Sequence, residues 1–114
     1  MKIPSVLPQA FDWEKLADRD FEPLRPGVEI SRLYDDPTTG ASTAVLRYAP
    51  GGRIPKHRHD GYEHVFILRG EQSDENGSYP AGTLVINAPG SAHSVWSESG
   101  CLALLVWSSS ITFL

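Results

Sequence analysis

The sequence predicts an all-β protein, a sandwich or closed barrel, on three observations. Short apolar segments of strand length recur along the chain. Turn chemistry separates them, with 10 Gly and 9 Pro in 114 residues. One segment, Cys101 to Trp107, is apolar almost without alternation, as expected of a strand covered on both faces. One of its faces would look into the barrel. The other needs a second sheet or a partner subunit, so a homodimer is expected.

The elements follow in order. Residues 9–19 can form one or two helical turns, with Phe11, Trp13 and Leu16 as the buried side. After Pro26-Gly27 the pattern turns strand-like, with Val28, Ile30 and Tyr34 at alternate positions. Asp35 to Gly40 is a turn by composition. Ala44 to Tyr48 reads as a strand, which Pro50-Gly51-Gly52 ends. Tyr62 to Leu68 is the next clear strand, and Asp74-Glu75-Asn76-Gly77 signals a hairpin. Thr83 to Asn87, His93 to Ser97, Cys101 to Trp107 and Ile111 to Leu114 complete the set. No repeat, linker or low-complexity tract interrupts it.

Bulk properties exclude several classes. The length suits one domain with a real core but not two. Apolar residues make up 40%, enough to fold. A net charge of −4 argues against nucleic-acid binding, which needs a basic surface. No apolar run approaches a membrane span, and Pro4 and Pro8 break any signal-like segment. The single Cys101 allows no intrachain disulfide. A cytoplasmic location is expected.

The chemistry concentrates in Gly51 to Glu63. His57 and His59 are two apart, so on a strand they project from one face. Asp60-Gly61 offers a turn, and Glu63 opens the next strand. If that strand pairs back on the first, its carboxylate meets both imidazoles. Thirty residues later, His93 follows another turn and can close the site. Three imidazoles and a carboxylate suit one divalent ion of zinc, iron, manganese, nickel or copper. Val65 and Ile67 share the Glu63 face and are expected to line a cavity, while Lys56 and Arg58 point to solvent. His64 should face outward, and Cys101 should be a buried, inert thiol. Trp13, Trp96 and Trp107 read as core or interface anchors. Arg47 and Arg69 read as surface residues, and Tyr48, Tyr62 and Tyr79 are candidates for a cavity rim.

The spacing Gly51-x5-His57-x-His59-x3-Glu63-x6-Gly70 resembles the first cupin motif at every position. A second motif runs from Gly82 through Gly90 to His93. It departs at Ala88, where proline is usual, and at Ser97, where asparagine is usual. The stretches Gly70 to Thr83, Pro89 to His93 and Ser97 to Cys101 are similar to the ChrR-like cupins. Those include the cupin domain of zinc-dependent anti-sigma factors and relatives similar to acetylacetone dioxygenase. The resemblance implies a double-stranded β-helix (jelly-roll) barrel over residues 27–114, with residues 1–26 as a short extension packing on it. It also implies a metal held by His57, His59, Glu63 and His93. The anti-sigma factors carry a further N-terminal helical zinc domain, for which this chain has no room, so sigma binding is not expected. Three functions remain open: a metal-dependent, oxygenase-like enzyme acting on a small organic molecule, a metal- or ligand-sensing module, or a metal-stabilised structural fold without chemistry.

Overall fold

Turn residues set the strand ends in the computed structural model of the chain, which describes residues 20–114. Among these are ten strands: β1 (Glu22–Arg25), β2 (Val28–Asp35), β3 (Ser42–Tyr48), β4 (Arg53–His59), β5 (Glu63–Asp74), β6 (Gly77–Pro80), β7 (Leu84–Asn87), β8 (Ala92–Trp96), β9 (Cys101–Trp107) and β10 (Ile111–Phe113). Every strand expected after Pro26 is present. β1 was not expected, because Pro23 lies within it and Pro26 follows it directly. Among the described residues it pairs with β2 alone, at a sheet edge. The expected helical turns of residues 9–19 lie outside the described residues. Among the described residues no helix is long and apolar enough to cross a membrane.

The pairing order is β1-β2-β3-β9-β5-β8-β4-β10, with β6 and β7 also on β5. This order folds into two faces. β2, β3, β9 and the first part of β5 make one, and β4, β8 and β10 the other. The twelve-residue β5 runs from the first face into the second, where Glu71–Asp74 pair with β6 and Ser73 reaches Trp96. The architecture is the double-stranded β-helix that the motif implied.

Alternation decides what fills the interior. Val28 and Ile30, Ala44 and Leu46, Val65 and Ile67, and Ala103 and Leu105 point inward into one apolar cluster. Burial of the Val, Ile and Leu side chains among them stabilises by about 1.5–3 kcal/mol each. The outer face of the central strands is covered too. Val45 and Leu102 are buried there beneath Phe21, Leu33, Leu68 and Leu104. The non-alternating β9 is therefore covered on both faces by this chain's own residues.

β5 changes phase midway. Glu63, Val65 and Ile67 are buried at odd positions, the register slips between Ile67 and Arg69, and Gln72 and Asp74 then turn inward at even positions, Gln72 to the cavity and Asp74 to His93, while Ser73 between them is buried against Ser78. Gly70 follows the slip with φ of 70°, and a Cβ there would lie 1.9 Å from the Gly100 carbonyl oxygen. Only glycine fits this crossing of backbones.

Candidate metal centre

β4 presents His57 and His59 on its inner face, 3% and 1% exposed. β8 pairs with β4 so that His93 stands directly opposite His57. The three rings meet edge to face, with centroids 4.7–5.0 Å apart. One nitrogen from each lies within 4.8 Å of the others.

The outward nitrogens explain why the inward ones are free. Nδ1 of His57 donates to the Pro55 carbonyl at 2.9 Å. Nδ1 of His59 donates to Ser91, with the carbonyl oxygen at 3.1 Å and Oγ at 3.0 Å. Nδ1 of His93 donates to Asp74 Oδ2 at 3.1 Å. A neutral ring protonated at Nδ1 carries its lone pair on Nε2. Nε2 of His59 and of His93 are buried without a hydrogen-bond partner. An unsatisfied buried polar atom costs about 1–3 kcal/mol, which a bound cation relieves. Burial holds His57 below the ordinary imidazole range, against the Pro55 bond, and so favours the neutral ligating form. The donor set fits a divalent ion of the borderline class.

Glu63 is 4% exposed and reaches the cluster from the opposite face. Its Oε1 lies 3.3 Å from His59 Nε2 and accepts from Asn87 Nδ2 at 2.9 Å. Its Oε2 accepts from Trp107 Nε1. Burial pushes the carboxyl up, but in the metal-free site a protonated His59, with Trp107 and Asn87, outweighs burial and holds it below the ordinary carboxylate value.

His57, His93 and Glu63 form one wall of a cavity of about 460 Å³. Its other walls are mainly apolar, with Ile30, Leu46, Ile54, Val95 and Leu105 among them. That size suits a small organic molecule.

The family model of the ChrR Cupin-like domain matches residues 11–109. This chain belongs to that family. Among solved structures, this ChrR-like cupin is similar to the anti-sigma ChrR of Rhodobacter sphaeroides in complex with SigE, with a TM-score of 0.66 and 26% identity over 81% of this chain and 47% of that one. It is also similar to a cupin-like protein of unknown function from Ralstonia eutropha, with a TM-score of 0.67 and 25% identity over 72% of this chain and 55% of that one. The chain thus spans about half the length of each. An acetylacetone dioxygenase from Acinetobacter johnsonii shares the fold, with a TM-score of 0.80 and 17% identity over 100% of this chain and 85% of that one. No curated protein matches the chain.

The structure sorts the expected residues of this ChrR-like cupin. His57, His59 and His93 form the close cluster, and Glu63 adjoins it through His59. One expected route is corrected. β5 does not pair back on β4, because Asp60-Gly61-Tyr62 crosses between the faces and β4 pairs with β8 and β10. A second correction concerns Val65 and Ile67, which pack in the core outside the cavity lining; β5 contributes Glu63 and Gln72 to that lining instead. Lys56 and Arg58 are exposed as expected. Cys101 is buried, and burial, aided by the Glu71 charge, pushes its thiol up to about 12. Arg47 faces outward, paired with Glu29 at 3.0 Å and stacked on Phe21.

Both departures from the second motif have local partners. The Ala88 carbonyl accepts from Ser91 Oγ at 2.6 Å, which fixes the hydroxyl beside His59. Ser97 is fully buried, donates to the Glu71 carbonyl at 2.6 Å and accepts from Gly100 N at 3.0 Å. Sequence reasoning missed Asp74, Asn87 and the polar role of Trp107. Asp74 read as a hairpin residue. It does turn the hairpin, accepting from Asn76 N at 2.8 Å, while its other oxygen holds His93.

Proposed function

We propose that this ChrR-like cupin holds one divalent metal ion through His57, His59, His93 and Glu63, and acts on a small organic molecule as a metal-dependent, oxygenase-like enzyme. One observation carries this reading. A buried cluster of imidazoles, two with unpartnered Nε2 atoms, stands in the wall of a largely apolar cavity of about 460 Å³. A purely structural ion has no use for such a space, whereas a ligand does. An ion of zinc, iron, manganese or nickel would supply Lewis acidity there, and iron would add electron transfer to O₂.

The chain's own residues set the conditions. Pro55, Ser91 and Asp74 hold the rings in the tautomer that ligates. Asn87 and Trp107 keep Glu63 ionised and aimed at the imidazoles. The apolar walls exclude water from a bound substrate.

A second reading is a metal- or ligand-sensing module. It is favoured by family membership and by the 26% identity to the anti-sigma ChrR.

The test is metal analysis of untagged protein by mass spectrometry, followed by O₂ uptake with small diketones and phenols. Bound iron with substrate-dependent uptake supports the enzyme. Tightly held zinc without turnover transfers the chain to the sensing reading. His57→Ala should abolish metal retention. Protein that takes up no metal under several preparations refutes both.

A further inference from the structure

The cavity has a second polar feature, away from the imidazoles. Tyr48 on β3 and Gln72 on β5 are 3% and 4% exposed, and both line the cavity. Gln72 Nε2 donates to the Tyr48 hydroxyl oxygen at 3.2 Å. That bond uses one amide hydrogen and one phenol lone pair. Among the described residues, no acceptor takes the phenol proton and no donor meets the amide oxygen. The neighbouring walls, Ile30, Leu46, Ile54, Val95 and Leu105, offer no hydrogen bond from their side chains.

From this we infer that Tyr48, fixed by Gln72, is a specificity-determining donor for the oxygen of a neutral carbonyl compound with an apolar body. The inference rests on the metal-enzyme reading only in sharing its cavity.

Three observations select this ligand class. The phenol still has one proton to give, so its partner must be an acceptor. The apolar walls reward a hydrocarbon body and penalise a polar one. Charge then separates carbonyl from carboxylate. The lining holds a single cationic residue other than histidine, Arg32, which is 41% exposed in its side chain and lies 3.6 Å from Glu22. Glu63 places a buried negative charge on the same lining. Burial, the Cys101 thiol and Glu63 all push the Tyr48 phenol upward in pKa, so it stays protonated and able to donate. A carboxylate would bring a second buried anion without a cation to meet it.

The probes are acetophenone, ethylbenzene and benzoate, which share an aromatic body and differ in the group offered to Tyr48. Binding is followed through the change in tryptophan fluorescence, to which Trp107 in the cavity lining contributes. It is measured on metal-free protein, where discrimination cannot come from the ion, and repeated on metal-loaded protein. Wild type should bind acetophenone about tenfold more tightly than ethylbenzene, and benzoate weakest. Tyr48→Phe keeps the ring and removes the hydroxyl. It should lose that tenfold preference while binding ethylbenzene unchanged and keeping its metal content. Gln72→Leu should lose part of the preference by freeing the phenol, and it stands in where Tyr48→Phe does not fold. Equal binding of acetophenone by wild type and Tyr48→Phe overturns the inference, as does benzoate binding tightest or no probe binding at all. Carbonyl preference in metal-free protein supports the inference even where no turnover is found. Metal-dependent turnover without that preference refutes the inference and leaves the enzyme reading intact.

Discussion

Replacing Asp74 with Asn tests whether the hairpin carboxylate governs the metal site. Asp74 is 7% exposed and accepts three hydrogen bonds: Asn76 N at 2.8 Å and Tyr79 Oη at 3.3 Å on Oδ1, and His93 Nδ1 at 3.1 Å on Oδ2. An amide has one oxygen. If it stays with Asn76 and Tyr79, the NH₂ group faces the His93 Nδ1 proton, donor against donor. The ring then moves its proton to Nε2, and the lone pair aimed at the cluster is lost. The carboxylate also strengthens His93 as a donor, unlike the oxygens of Pro55 and Ser91 that hold the other two rings. Loss of such a supporting partner costs 10- to 100-fold in metal affinity, or about 1.4–2.8 kcal/mol. The assay is competition for Zn²⁺ with a chromophoric chelator. Ser91→Ala is the control, because the Ser91 carbonyl remains beside His59, and its effect should stay below about threefold. An Asp74→Asn affinity within about threefold of wild type would refute the reasoning.

Three further expectations follow from the geometry. Gly70→Ala combines a positive φ with a Cβ 1.9 Å from the Gly100 oxygen, and should destabilise by about 2 kcal/mol or more in urea unfolding. In chelator-treated protein, acid should weaken the fold in two stages. His57 binds its proton less readily folded than unfolded, so the unfolded chain gains protons first as pH falls below 6.5. Glu63, also held low, adds to this below 4.5. The urea midpoint should therefore fall from about pH 6.5 downward, and a flat profile to about pH 5 would contradict the burial argument. Cys101, with its thiol near 12, should resist an aromatic disulfide reagent in native protein and react once unfolded.

The sequence made the ligands legible more readily than their setting. His57 and His59 stand out because the two-residue period of a strand puts them on one face, and His93 because the second motif ends on it. The non-alternating run at Cys101 to Trp107 marked the central strand, and its outer cover proved to come from within the chain. What could not be read was long-range pairing. Neighbouring strands usually pair, yet β4 and the first part of β5 lie on opposite faces, so Glu63 reaches His59 across the interior. Gln72 and Asp74 were hidden for a different reason. Read by simple alternation from Glu63, both point away from the cavity, and only the slip after Ile67 turns them in.

That slip makes chain length a chemical variable in β5. Inserting one residue after Gly70, with the slip kept, would exchange Gln72 and Asp74 for their neighbours Glu71 and Ser73 in a single event. Tyr48 would lose its amide and His93 its carboxylate together, though neither codon had changed. In this architecture a one-residue indel is a more drastic edit of the cavity than any point substitution, and relatives that differ in length here should differ in what they hold.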